Sequence, residues 1–353
     1  MFDHHHHHIL FFGATGYIGG TVFSKLLSHP KADGFKITAL VRDAAKAEKL
    51  TRTVGNVENI VVHRGSNGDL DLLTKLAKEA DVVFSVADTV DVQAKRAILA
   101  GSEARFEETG RPVVVIHTSG AGAIADCTVN GGHTSSLVFD DLDDAQMSAI
   151  QPTQIHRAVD LEFLAADEQG YIKSYIILPT TVYGIPHGLL VNAGIQNRQN
   201  SVLSYLVSLS MTRGQGGMVG QGKNMWHNVE LNELGDLFMV LFDAAISNPD
   251  STPHGQSGLY FAENGSHVLE DLCAVISQVL YEHGKGQAPA PTSFSEEELD
   301  AAEWGFLAAL IGSDARCRAR KGRALGWKPT KTTADFLENA RAVTERLLMN
   351  GYV

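Results

Sequence analysis

The sequence predicts an α/β protein: a doubly wound, parallel-sheet domain followed by a smaller, irregular α/β C-terminal lobe. Three observations predict it. Through the first half of the chain, near-continuous Val/Ile-rich runs alternate with amphipathic helical patterns, as in a parallel sheet covered on both faces. A glycine-rich turn sits between the first apolar run and the first helix. Beyond residue 183 the alternation loosens and helical patterns dominate. At 353 residues the chain has room for one large or two modest domains.

Residues 9–12 (ILFF) read as a buried strand and 21–27 as the helix after it. KITALV at 36–41 is a second strand, 44–50 a short helix and 59–62 a third strand. Leu70, Leu73, Leu76 and Ala77 recur at helical spacing within 70–80. DVVFSV at 81–86 and PVVVIH at 112–117 are strands bracketing a helix over 91–108. A helix over 155–169 and a sixth strand over 174–178 follow. In the second half 201–211 and 232–245 are helical, 229–231 and 259–262 are short strands, and 268–283, 296–311 and 333–349 are helices. The Pro/Gly-rich stretch 285–295 reads as a linker or surface loop.

Composition excludes several classes. Hydrophobic residues make up 44% and charged residues 20%, an ordinary globular balance rather than a disordered or collagenous one. The 29 Lys and Arg against 41 Asp and Glu leave a net charge of −12, which repels phosphate backbones and anionic lipid. Neither nucleic acid nor a membrane is an expected partner, while a local basic pocket for a small anion is still allowed. Cys127, Cys273 and Cys317 are odd in number, far apart and without a CxxC, which argues against a disulfide framework or thiolate metal site. No apolar run approaches the roughly 18–20 residues of a membrane span, and no secretory signal pattern opens the chain. The expected location is cytoplasmic. Residues 1–8, with the run His4 to His8, read as a tag or solvated tail and carry no functional argument.

Gly13, Gly16 and Gly19 give the spacing GxxGxxG in GATGYIGG, just after the first strand. Glycine lets the backbone turn tightly and approach a pyrophosphate, and the helix N-terminus offers N–H groups and partial positive charge to the anion. Thr15, Tyr17 and Ile18 belong to the same loop, and Ser66, Ala87 and Asp88, after the third and fourth strands, complete the expected cofactor edge. After the second strand stands Arg42, whose planar fork suits a 2′-phosphate. Asp43 beside it is open to two readings, a ribose ligand or the N-cap of the next helix. The expected cofactor is NADP(H), with NAD(H) the alternative. The expected partition is a Rossmann domain over 9–184, with 225–246 returning to it, and a substrate lobe over 185–224 and 247–349.

With GATGYIGG at 13–20, ALVRD at 39–43, ADVVFSVAD at 80–88, IHTSG at 116–120, LPTTVYG at 178–184 and LGWKP at 325–329, the chain resembles the short-chain dehydrogenase/reductase superfamily in its extended or atypical, NmrA-like and epimerase-like, branch. The resemblance implies a nicotinamide cofactor and a C-terminal substrate lobe. It also implies a hydroxyl residue after the fifth strand, here Ser119 with Thr118 beside it, and a segment lining the nicotinamide, here Pro179 to Val182. A homodimer pairing the helices over 91–108 and 155–169 would follow from it as well.

The family's reaction centre is a Tyr-x-x-x-Lys pair on the helix after the fifth strand, where Tyr is the acid/base. In this chain only Tyr281 and Lys285 have that spacing, in the C-terminal lobe, and the match reads as coincidence. Where the pair belongs stand His156 and Asp160. An imidazole of ordinary pKa can donate or accept a proton near neutrality, and a carboxylate four residues on shares its helix face and could orient it. The structural reading is strong for both: His156 as a helix-start residue, and Asp160 or Arg157 in surface ion pairs. Tyr183 is a further candidate proton donor or a packed tyrosine, and Ser119 either faces the nicotinamide or serves its own turn. The long loop 120–144 reads as a lid or clamp. Its acidic cluster Asp140, Asp141, Asp143 and Asp144 reads as a solvated face or helix start rather than a metal site, so no metal is expected. His187, Asn192, Trp226 and His227 are candidate pocket residues.

The expected function is NADP(H)-dependent reduction of a carbonyl, imine or activated double bond of a small organic molecule. Two rivals remain at this point: a non-redox epimerase, dehydratase or cyclase using bound cofactor, and a catalytically silent NADP(H) sensor.

Overall fold

A computed structural model describes residues 7–55, 59–199, 201–301 and 305–350. The strands used below are β1 (His7–Phe12), β2 (Phe35–Val41), β3 (Ile60–Arg64), β4 (Val82–Ser85), β5 (Val113–Thr118), β6 (Ile172–Pro179), β7 (Thr181–Tyr183), β8 (Met225–Glu230), β9 (Leu259–Ala262) and β10 (Ser266–Val268). Seven of them form one parallel sheet in the order β9-β6-β5-β4-β1-β2-β3. The order reverses direction between β1 and β4, and ligands of open α/β sheets bind at that crevice, beyond the strands' carboxyl ends. This is a Rossmann-like α/β fold.

The apolar runs explain the sheet. Ile9, Leu10 and Phe11 are fully buried, and Phe11 lies opposite Ala39 on one side and Phe84 on the other. Its ring stacks on Phe84 at 5.3 Å and meets Phe23 edge-on at 5.0 Å, joining strand to helix. The strand also takes in His7 and His8 of the histidine run, with His8 N–H donating to Asp81; His4 to His6 lie outside the described residues.

Helices α1 (Tyr17–Leu27), α2 (Ala44–Val54), α3 (Leu70–Lys78), α4 (Val92–Thr109) and α5 (Arg157–Glu168) connect the strands. Helix α1 begins at Tyr17, four residues earlier than the apolar pattern indicates. Gly19 within it has to be glycine, because a Cβ there would stand 2.0 Å from the Gly13 carbonyl oxygen.

Helices α6 (Ser201–Arg213), α8 (Leu269–Glu282) and α9 (Thr333–Asn350) build a second apolar cluster around Leu206, Val207, Leu272, Ile276, Phe336 and Ala340. The intervening α7 (Leu231–Ser247) packs on α1. A small sheet, β10-β8-β7, roofs the carboxyl end of the large one, with β8 parallel to β7 and antiparallel to β10. Three expectations change. The 259–262 strand, assigned by sequence to the lobe, is the edge strand of the central sheet, because its all-apolar run is buried against β6. Residues 296–311 form two helices, Glu296–Ala301 and Gly305–Ile311, with 302–304 outside the described residues. Loop 285–295 is tied down where Thr292–Ser293 pairs with Gly217–Met218. Among the described residues no helix is long and apolar enough to cross a membrane.

Candidate active site

Two adjoining cavities that share Gly16 open at the carboxyl ends of β1, β4, β5 and β6. The outer, of 390 Å³, is lined by Gly13, Thr15, Gly16, Arg42, Ser66, Ala87 and Asp88 among others. The inner, of 490 Å³, is lined by Gly16, Tyr17, Ile18, Gly19, Ser119, His156, Pro179 and Val182 together with residues of the lobe. Of the residues expected to be catalytic or to bind the cofactor, Thr118, Asp160 and Tyr183 line neither.

The outer cavity fits a nucleotide. Gly13 has φ +96°, and a Cβ there would stand 2.8 Å from the Val86 carbonyl oxygen, so the loop must be glycine to lie this close to β4. Gly16 caps α1 without a side chain, and no acidic residue follows in the first turn, which leaves the helix's opening N–H groups and dipole to an anion. Asp43 does not line the cavity: it caps α2, accepting the Lys46 N–H at 2.8 Å, while Arg42 does line it. Asp88, at φ +52°, accepts from Asn67 Nδ2 at 3.1 Å. Lys95, 2% exposed on α4, donates to the Ala87 carbonyl at 2.7 Å and so pins the turn after β4. Burial lowers its pKa to about 8. Sequence reasoning missed it, although a lysine between Ala94 and Ile98 on a buried helix face was a visible signal.

In the inner cavity β5 delivers Ser119, whose N–H is held by the Ile177 carbonyl at 2.8 Å. Its Oγ donates to Asp160 Oδ2 at 2.9 Å. Asp160 is fully buried on α5, and burial raises its pKa to about 7 against the pull of Ser119 and Arg157. Beside it His117 directs Nδ1 at the Ser85 carbonyl and hydroxyl, at 3.2 and 3.1 Å, so Nδ1 carries the proton. The bare Nε2 then faces Asp160 Oδ1 at 3.8 Å, and burial keeps this ring neutral.

His156 lies just before α5 with φ +69°, a left-handed conformation that is strained for a residue with a Cβ. The ring is admitted by Gly120, where a Cβ would stand 2.9 Å from Nε2. Burial lowers its pKa to about 4, with the Thr89 backbone pulling the other way. This corrects two expectations. The imidazole is neutral at neutral pH and is no proton source, because the cavity wall strips its water. Asp160 does not orient it either, since the carboxylate turns to Ser119 instead.

Tyr183 is packed in the lobe, edge-on to Phe336, and its hydroxyl donates to the Thr332 carbonyl at 3.1 Å, away from the cavity. Tyr281 is about half exposed at the end of α8. Of the four lobe candidates Trp226 lines the cavity, whereas His187, Asn192 and His227 do not. Loop 120–144 is a packed wall rather than a free lid: Ala121 and Ala123 are buried, Asp126 bridges Asp314, and Phe139–Asp140 pairs with Cys317–Arg318. Its acidic residues serve the fold. Asp141, fully buried, accepts the N–H groups of Phe261, Arg320 and Lys321; Asp143 caps a short helix; Asp144 pairs with Lys321. No cluster of metal-ligating side chains occurs among the described residues.

The geometry agrees with the comparisons. An NmrA-like family model matches residues 5–103. The oxidase ucsJ of Acremonium sp is 30% identical over 335 residues, covering 90% of this chain and 91% of the relative. In fold, the chain is similar to yeast methylglyoxal/isovaleraldehyde reductase Gre2 complexed with NADPH, at TM-score 0.61 and 15% identity over 98% of this chain and 100% of that one. It is equally similar to UDP-glucuronic acid 4-epimerase from Bacillus cereus in complex with UDP-glucuronic acid and NAD, at TM-score 0.62 and 15% identity over 96% and 99%. With a dinucleotide groove at its switch point and a relative matched over nearly its whole length, the chain belongs to the NmrA-like family.

Proposed function

We propose that the protein is an NADP(H)-dependent oxidoreductase that reduces a carbonyl, imine or activated double bond of a small organic molecule. The observation that carries this reading is the meeting of Ser119 and His156 in one cavity with the first turn of α1 and residues 179–182. The names of an oxidase relative and a reductase of the same fold support redox chemistry. Arg42 at the outer cavity, with Asp43 turned away to cap α2, supports a 2′-phosphate there.

The nicotinamide, when bound, supplies the hydride. The chain supplies the proton. Ser119 is the hydroxyl in the inner cavity with a proton reserve behind it, since the tyrosine lining that cavity, Tyr17, gives its own hydroxyl to the Gly184 carbonyl at 2.6 Å. With Asp160 protonated on Oδ2, the 2.9 Å contact runs from the acid to Ser119 Oγ; the Ser119 hydroxyl proton passes to the substrate heteroatom as the Asp160 proton moves onto Oγ, which leaves Asp160 ionised. His156, neutral, hydrogen-bonds and orients the substrate without a charge of its own.

The test is NADPH consumption by tag-free protein against a panel of aldehydes, ketones, quinones and imines. Turnover with any of them supports the reading. Product formation with the cofactor spectrally unchanged at turnover would replace it with non-redox acid/base chemistry, and cofactor binding without turnover of any kind would leave a sensor.

A further inference from the structure

We propose that the substrate is an electrically neutral molecule with a largely apolar, ring-bearing body and a single reactive heteroatom, not a nucleotide sugar or other charged metabolite. The inference rests on the reading of the inner cavity as the place where substrate and nicotinamide meet.

Its first ground is the composition of the wall. The chain carries a net charge of −12, yet no Asp, Glu, Lys or Arg is among the described residues lining the inner cavity. A charged ligand group placed there would lose its hydration with no counter-charge in return, which is the most expensive kind of burial. A second diphosphate, beyond the cofactor's own at the start of α1, has the same difficulty twice over, for no cation in this lining meets it.

The second ground is how the lining spends its polar atoms. Asn224 Nδ2 donates to the carbonyls of Ile311 and Ser313 at 2.8 and 2.6 Å, and Trp226 Nε1 donates to Ser313 at 2.8 Å. Thr180 Oγ1 donates to the Ala262 carbonyl at 2.9 Å. These side chains are polar in name, but their donors are spent on backbone carbonyls, those of Asn224 and Trp226 in the lobe and that of Thr180 on β9. The braced indole becomes a fixed flat wall, with Leu269, Leu272, Leu310 and Ile311 among its apolar companions. Such a wall favours a ring over a flexible polar chain.

The third ground is that the two imidazoles lining the cavity add no charge. His267 is buried against Phe336 with ring centroids 4.4 Å apart, and its Nδ1 accepts from Asn228 Nδ2 at 3.2 Å. Burial holds His267 at about 3 and His156 at about 4, so both are neutral across the physiological range. The Ser119 hydroxyl and the His156 imidazole are uncharged groups set toward a reacting heteroatom, and the other polar residues of the lining, Thr181, Asn197 and Gln199 among them, are uncharged as well.

The experiment uses three para-substituted benzaldehydes of matched shape, carrying isopropyl, carboxylate or trimethylammonium, together with the corresponding benzyl alcohols. Binding of the alcohols to NADPH-loaded protein is measured by calorimetry, and turnover of the aldehydes separately. The neutral alcohol should bind at least about 100-fold more tightly than either charged one. Equal or tighter binding of a charged member overturns the proposal, and so does failure of the neutral alcohol to bind. Neutral preference in binding with no NADPH consumed from any aldehyde would count against the reductase reading alone, leaving the substrate class standing. Leu310→Arg, which puts a cation in the wall, should narrow the gap between isopropyl and carboxylate by about tenfold or more. Selectivity unmoved by that change, in a variant that still binds NADPH, would place its origin outside this cavity and overturn the assignment.

Discussion

Ser119 gains the cavity from its place at the carboxyl end of β5 and gains a proton reserve from Asp160. A carboxyl raised to about 7 is largely protonated below that pH and ionised above it. Reduction needs the proton, so kcat for the reductive direction should fall as the pH rises through about 7, with the oxidative direction showing the reverse sign. Asp160→Asn keeps an acceptor for Ser119 but cannot return a proton; it should lower kcat by about 100-fold and flatten the profile, with KM for NADPH nearly unchanged. An unaltered pH profile would remove Asp160 from the proton path. Arg42→Ala should weaken NADPH by about tenfold or more while changing NADH little, the worth of a charge-assisted phosphate contact. Equal loss of both in a binding titration would refute the phosphate role. The sequence announced Ser119, Arg42 and the glycines because each is fixed by its distance from a strand end. It could not announce that His156 is neutral or that Asp160 answers to Ser119, because burial and side-chain direction arise from packing.

The strands and their helices were legible for the same reason that they form: a doubly covered parallel sheet demands unbroken apolar runs, and β4 and β5 carry them. The inner cavity was not legible as a whole. Its wall is assembled from segments far apart in the chain, with Trp226 opposite His267 in register and Ala315 bridged to Trp226. Periodicity carries no record of such pairings. A related element lies over the glycine loop itself. The Asn197 N–H donates to the Thr15 carbonyl at 2.9 Å, and Gln196 Nε2 donates to Tyr17 O and Thr21 Oγ1, both at 2.9 Å. Gly20 exists to admit this strap, for a Cβ there would stand 2.5 Å from the Gln196 side chain. The strap holds the loop that holds the pyrophosphate. Gln196→Ala should therefore speed NADPH release about tenfold, the worth of one or two hydrogen bonds, without a change in the preference for NADPH over NADH. Stopped-flow displacement of bound NADPH reads that rate, and an unchanged rate would reduce the strap to packing.

The buried ionisable groups govern how the whole fold answers to pH. His156, His267 and His117 are held neutral by burial, the first two at about 4 and about 3. In the unfolded chain each takes up a proton below about 6.5, so each contributes stability that is present above that pH and lost as the pH falls toward the folded value. Asp160, at about 7, and Asp141, at about 6, act with the opposite sign. Folded, they hold a proton that the unfolded chain sheds above about 4, so their contribution is full in acid and is lost as the pH climbs through the folded value. Between about pH 4 and pH 6.5 the two sets oppose each other, and the midpoint of thermal unfolding should rise only gently with pH. Asp160→Asn removes one opposing group and leaves the Ser119 contact in place. In that variant the midpoint should climb more steeply over the same interval, the histidines being less opposed. Parallel curves for the parent and the variant would mean that Asp160 is already ionised in the folded protein there, and an ionised Asp160 has no proton to return to Ser119.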